Sequence, residues 1–395
     1  MDTQKLKIAC VFEGELHDGG GFQTQLSTIL EINEHPKYQI IAFTFSQKNQ
    51  RLLESYGLRA IYVKTHFMDK ILKILNYQRW FYFVKFKFKI SFEKKLDEYH
   101  IDLVYFLSPS NLALHLTTHN YIFTIWDLCH RDTPEFPEVN NYREFERREV
   151  LYNEAPKKAF AVLTDSELGR KNAIKRYNLN EDRVFNVSFV PSINIKQSIY
   201  INVKYKYNIF GEYIYYPAQF WPHKNHIYIL EAIAKLKEKG VLLSVIFSGA
   251  DKGNLNYVMS YAKKLNIGDL VHYIGFAPNE DVYYLYKQSL ALVMPSFFGP
   301  TNIPPLEAFA IGTPVIYSNI AGLCDQVGNA ALLCDLKRSN ELVEHLELLL
   351  NNPKKRIELI ELGYVRLEKL NEISISTILV KIFDDYLIRL KCWKS

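Results

Sequence analysis

Two stretches of the chain carry residue types at spacings suited to an anionic ligand. In 290–316, LALVMPSFFGPTNIPPLEAFAIGTPVI, an apolar strand runs into a polar loop with Gly299, Thr301 and Asn302. A short helix is then entered at Pro304 and Pro305, and its first turn is expected to hold Glu307. First-turn amides offer unpaired N–H donors to an anion, and an ionised glutamate accepts two hydrogen bonds at once. In 217–240, PAQFWPHKNHIYILEAIAKLKEKG, Lys224 stands just before a helix with apolar Ile227, Leu230, Ile233 and Leu236 on one side. A cation and a helix N-terminus thus meet at one spot, which is what a departing diphosphate needs. His223 and His226 invite a metal reading, but two histidines with no third ligand at a known spacing do not make a site, and no metal is expected.

Weaker constellations lie in the first half. The strand at 6–12 is followed by Gly19, Gly20 and Gly21 at the mouth of a helix, a phosphate-approach pattern that is equally the pattern of a flexible turn. In TIWDLCHRDTPEFPE, Asp127 and His130 follow a buried strand, where Asp127 equally suits a turn cap. Ser166 reads as the N-cap of the next helix. Between Lys70 and Lys95 eight basic residues and one acid alternate with Trp80, Phe81, Tyr82, Phe83, Phe86 and Phe88. Its 84–92 part alternates as a strand does, while Ile71, Leu72 and Leu75 suit a helix. The tract is read either as a solvated basic face or as a dock for an anionic membrane surface through Lys85, Lys87 and Lys89.

These elements alternate between buried strands and amphipathic helices in both halves, which describes α/β architecture with two doubly wound, Rossmann-like domains. Domains are expected at 1–200 and 201–374, with a linker at about 192–211 and a terminal helix at 375–391 that returns to the first domain. At 395 residues, 48% apolar and 14% aromatic, the chain is globular and long enough for two cores. A net charge of +5 fits an anionic ligand or surface and argues against nucleic acid as partner. Five scattered cysteines without CxxC spacing suit a reducing, cytoplasmic setting. No apolar run approaches the roughly 20 residues that span a bilayer, so a soluble or peripheral protein at the inner leaflet is expected.

The 295–316 stretch resembles the signature of retaining, nucleotide-sugar-dependent glycosyltransferases of the GT-B fold, family 4. In that family two glutamates flank seven residues of this loop. Glu307 matches the second, Gly299 stands where the first would be, and Thr301-Asn302 replace a Phe-Gly pair. The 217–240 stretch is similar to the family's Arg and Lys pair, with Gln219 at the Arg position and Lys224 at the Lys position. The segment around Asp127 is similar to a His-Asp-Leu element, with Trp126 in place of the His. The resemblance implies two domains facing a cleft and transfer of a hexose from a nucleoside-diphosphate sugar to a glycan or lipid-linked acceptor, in bacterial O-antigen or capsule synthesis, without a metal or other cofactor. It implies Lys224, Glu307 and Asp127 in catalysis. It also implies Gly20, Gly21, Gln219, Phe276, Gly299, Thr301, Asn302 and Ile303 around the donor, and Asp127 with His130 toward the acceptor. The alternatives are a non-catalytic partner subunit of a glycan-assembly complex, or a sugar epimerase or phosphorylase of the same fold.

Overall fold

A computed structural model of the chain describes residues 5–14, 16, 20–77, 88–187, 199–299, 301–372 and 374–393, with the side chains of 20–25 and 73–77 outside that set. The chain divides into two compact units. One comprises Met1–Leu128, Glu146–Ser188 and Ile373–Ser395, and the other Cys129–Phe145 and Phe189–Glu372. The segment Cys129–Phe145, expected in the first domain, therefore groups with the second.

The first unit is built on β1 (Leu6–Phe12), β2 (Tyr38–Thr44), β3 (Ala60–Tyr62), β4 (Leu103–Phe106), β5 (Asn120–Ile125), β6 (Ala161–Thr164) and β7 (Val184–Asn186). They pair in the order β3-β2-β1-β4-β5-β6-β7, all parallel. Because side chains alternate across a strand, a central strand of such a sheet is apolar on both faces. In β1, Leu6, Ile8, Cys10 and Phe12 join one core, with Leu379, Ile382 and Phe383 of the terminal helix Ile375–Leu390. Ala9 and Val11 join the other, with Phe92, Leu96 and Leu151. The terminal helix is pinned to its own unit by polar contacts too. Tyr38 donates to Asp384 at 2.8 Å, and Tyr386 to the Asp102 carbonyl at 2.8 Å.

The second unit holds β8 (Tyr213–Pro217), β9 (Ser244–Ser248), β10 (Val271–Tyr273), β11 (Leu292–Met294), β12 (Val315–Ser318) and β13 (Leu332–Cys334). Their order is β10-β9-β8-β11-β12-β13, again parallel. The order reverses between β8 and β11, so their carboxyl ends flank the switch point where ligands of such sheets bind.

One other expectation is corrected. The tail of the proposed linker is part of the second unit: in the helix Val203–Lys206, Val203 is fully buried and Lys206 pairs with buried Asp281 at 2.6 Å. In the 84–92 stretch, whose alternation left strand and helix open, 84–87 lie outside the described residues, and 91–92 begin the helix Ser91–Glu98. Lys85 and Lys87 thus fall outside the described residues.

Candidate functional site

The loop after β8 turns sharply because Gly249, after β9, lets the two strand tips touch. A Cβ on Gly249 would lie 2.4 Å from the Ala218 carbonyl oxygen, and its φ of +145° disfavours any other residue. Gly249 in turn donates to the Gly275 carbonyl after β10 at 2.8 Å. On this platform the Trp221 indole donates to Gln219 Oε1 at 2.9 Å, and Tyr216 donates to the Lys224 carbonyl at 2.8 Å. Lys224 closes a short turn, Asn225 takes a left-handed conformation with φ +53°, and the helix His226–Glu238 follows. Phe276, placed beside the nucleotide base by resemblance and otherwise a candidate for the core, is 68% exposed. It packs no core.

The loop after β11 brings Asn302 to Lys224, whose Nζ donates to Asn302 Oδ1 at 3.1 Å. Gly299 is left-handed, φ +100°, so a glutamate could not replace it without strain. This loop is therefore built differently from one that carries an acid there. The helix Ile303–Ile311 starts one residue earlier than expected, capped at Asn302, which makes Glu307 its fifth residue, outside the first turn. The supply of helix amides is also smaller than expected. Proline has no N–H, so of the first three helical positions only Ile303 keeps one, and the Asn302 N–H is taken by Gln326 Oε1 at 3.0 Å.

Glu307 is 8% exposed, and its Oε2 accepts from the buried Tyr286 hydroxyl at 2.7 Å. Burial pushes its carboxyl up to about 7 against the pull of the Tyr286 hydrogen bond. The Asn302 amide, read as a sugar contact, is turned inward: Nδ2 donates to Tyr317 Oη at 2.6 Å and to the Gly299 carbonyl at 3.1 Å. Thr301 is half-buried beside it.

The two histidines part company. His223 meets Glu138 through both backbone N–H, at 3.0 Å, and ring Nδ1, and stacks on Phe298 with centroids 3.8 Å apart. Those bonds outweigh the effect of burial and hold the Glu138 carboxyl below its usual range. His226 is fully buried against Phe220, rings 4.3 Å apart, and burial followed by the charges of Lys224 and His223 pushes it down to about 3. Neither sequence period nor motif spacing signals Glu138, Tyr286, Tyr317 or Gln326.

In the first unit Gly20 opens the helix Gly20–Asn33, with Gly21 second, while Gly19 lies outside the described residues. Asp127 Oδ1 accepts from Arg148 at 2.8 Å with both side chains part-exposed. His130, paired with Asp127 in the sequence reading, belongs to the other unit and is fully buried, its ring edge-on to Phe145 at 5.5 Å. An accessible acceptor contact at His130 is thereby corrected. Ser166 does cap its helix, accepting from the Gly169 N–H at 2.9 Å.

Two parallel-sheet α/β units, the second with the candidate site at its switch point, describe the GT-B type of fold. The likeness to solved structures agrees: over 98% of this chain and 100% of the other, HepE from Anabaena in complex with UDP-glucose superposes with a TM-score of 0.72 at 14% identity. The lipopolysaccharide glycosyltransferase WaaG does so with a TM-score of 0.68 at 16% identity, covering 96% and 99%. Residues 206–366 match the glycosyl transferases group 1 family. Over 230 residues the chain is 26% identical to the O-antigen chain mannosyltransferase B of Escherichia coli, covering 57% of this chain and 60% of that protein. Over 175 residues it is 30% identical to the O-antigen chain mannosyltransferase RfbU of Salmonella typhimurium, covering 43% and 45%. The matches thus span about half the length of these curated relatives.

Proposed function

We propose that this protein transfers a hexose, with retention, from a nucleoside-diphosphate sugar to a glycan or lipid-linked acceptor in surface-polysaccharide synthesis at the cytoplasmic side of the membrane. The observation that carries the reading is the pairing of Lys224 with the loop after β11, at the switch point of a group 1 domain, with the carboxylate of Glu307 on the helix that follows. Mannose is the first candidate hexose, because the O-antigen relatives are named mannosyltransferases.

In this reading Glu307 accepts from the ribose hydroxyls through the oxygen not held by Tyr286. Lys224 lies by the diphosphate, whose negative charge grows as the glycosidic bond loosens, and a fixed cation there stabilises the transition state more than the ground state. The sugar carries oxocarbenium-like charge meanwhile. The reading needs no metal. Asp127, ion-paired with Arg148 in the first unit, is the acceptor-side candidate.

The test is nucleotide release from a panel of UDP, GDP and ADP hexoses with lipid-linked and glycan acceptors, followed by identification of the sugar product. A glycosylated acceptor with the anomeric configuration of the donor is expected, and Lys224→Ala and Glu307→Gln should each abolish most of it. Release of an epimerised sugar nucleotide or a sugar phosphate, or no turnover with any donor, would overturn the proposal.

A further inference from the structure

The side chain of Asn302 is locked at every atom by groups whose roles cannot be exchanged. Gln326, near the end of the helix Leu323–Val327, grips the Asn302 backbone from both sides. Its Oε1 accepts from the Asn302 N–H at 3.0 Å, and its Nε2 donates to the Asn302 carbonyl at 2.6 Å. A backbone N–H only donates and a carbonyl only accepts, so the Gln326 amide has one possible orientation. That orientation makes Oε1 the acceptor for the Tyr317 hydroxyl at 3.1 Å. With its proton committed there, the Tyr317 oxygen accepts from Asn302 Nδ2 at 2.6 Å, and the Gly299 carbonyl takes the second hydrogen of that amide at 3.1 Å. The Asn302 amide cannot flip, and Oδ1 is left facing Lys224 Nζ at 3.1 Å.

Gln326 is itself held from behind. The Arg366 guanidinium, from the helix Pro353–Asn371, donates to the Gln326 carbonyl at 2.9 Å and to the Asp325 carbonyl. Asn302, Tyr317 and Gln326 are all buried. A buried chain of this kind, satisfied at each link, fixes one geometry.

We propose that Gln326, Tyr317 and Asn302 form a positioning unit that holds the Lys224 ammonium for a diphosphate, with Asn302 acting as a strut and not as a reader of the sugar. This rests on the reading of Lys224 as the diphosphate contact. The chemistry lies in the neutrality of the strut. An amide oxygen steers an ammonium group through a hydrogen bond without itself adding a counter-charge. A carboxylate at the same place would hold the ammonium more tightly and cancel its charge.

The experiment compares Asn302→Asp, nearly isosteric with the wild type, by competition titration with UDP against uridine and GDP against guanosine. For whichever base binds, the variant should lose at least about tenfold in affinity for the diphosphate and less than about twofold for the nucleoside. Tyr317→Phe should show a smaller loss of the same selectivity. A purely structural role would weaken both ligands together. If Asn302→Asp binds the diphosphate as the wild type does, or loses both ligands alike, the strut is wrong. Lys224→Ala separates the two levels. Should it lower the diphosphate-to-nucleoside ratio while Asn302→Asp does not, only the strut fails. Should it leave the ratio unchanged, the reading of Lys224 fails and the strut with it.

Discussion

At the scale of single residues, the pair Tyr286 and Glu307 sets when the Glu307 carboxyl ionises. Burial raises the Glu307 carboxyl to about 7, and the Tyr286 hydroxyl opposes that rise by stabilising the ionised form. Tyr286 is fixed in place, its ring edge-on to Tyr215 at 5.0 Å and its carbonyl accepting from Thr313 at 3.1 Å. Tyr286→Phe removes the opposing bond, so the Glu307 carboxyl should rise further. A hydrogen bond to a charged group contributes about 1.5–3 kcal/mol, or about one to two pH units. The measurement is the affinity for a nucleoside-diphosphate sugar between pH 6 and 9, a window in which the ligand's own diphosphate does not titrate. Affinity should rise with pH as Glu307 ionises, with the midpoint displaced upward in the variant. An identical midpoint in both proteins would remove Tyr286 from this role.

At the scale of elements, the helix Phe67–Tyr77 shows how much a periodic pattern reveals. Phe67, Met68 and Ile71 lie at i, i+1 and i+4, one face of a helix, and all three are exposed, Phe67 at 74%. The buried Asp69 ties the other side down, accepting from the His66 N–H and the Ser91 N–H, each at 2.8 Å. Lys89 and Lys95 are already answered by Asp97 at 2.8 Å and Glu98 at 2.6 Å. We propose that this exposed trio adds an apolar contact to the membrane dock expected of Lys85, Lys87 and Lys89. Phe67→Ser with Met68→Ser should lower cosedimentation with anionic lipid vesicles by about tenfold or more, since full burial of either side chain contributes about 1.5–3 kcal/mol. Equal sedimentation would return the helix to an ordinary solvated face.

Long periodic elements were legible for the same reason: β1 spans Leu6–Phe12 as read, and the N-cap at Ser166 lies where its side-chain chemistry put it. The edge strands β3 and β13 have three residues each, too few to display a period. The loop around Asn302 was legible as a place but not as a geometry. Its decisive partner Gln326 is 24 residues away, on a five-residue helix that no pattern announces. The prolines after Ile303 were visible, but their cost in amide donors follows only once the helix start is known.

At the scale of the whole molecule, two buried groups of the second unit oppose each other in acid. His226 is lowered from 6.5 to about 3, so between those values the unfolded chain holds the extra proton and stability rises with pH. Glu307 is raised from 4.5 to about 7, so between those values the folded chain holds it and stability falls as pH rises. From about 4.5 to 6.5 the two slopes, each about 1.4 kcal/mol per pH unit at most, cancel. Denaturant unfolding across pH 3–7 should therefore show a steeper gain of stability with pH in Glu307→Gln than in the wild type within that window. Coincident curves would mean that Glu307 titrates as it does in water.

The division of the chain has a bearing on synthesis. The backbone passes between the units four times, after Leu128, Phe145, Ser188 and Glu372. A ribosome delivers residues in chain order, yet the unit that begins first is completed after the second, because its helix Ile375–Leu390 follows Glu372. The second unit has all its residues by Glu372 and is the first able to close its core. Until then the face of β1 that Leu379, Ile382 and Phe383 will cover waits open. A premature stop just after Glu372 would thus damage the first sheet and spare the second unit.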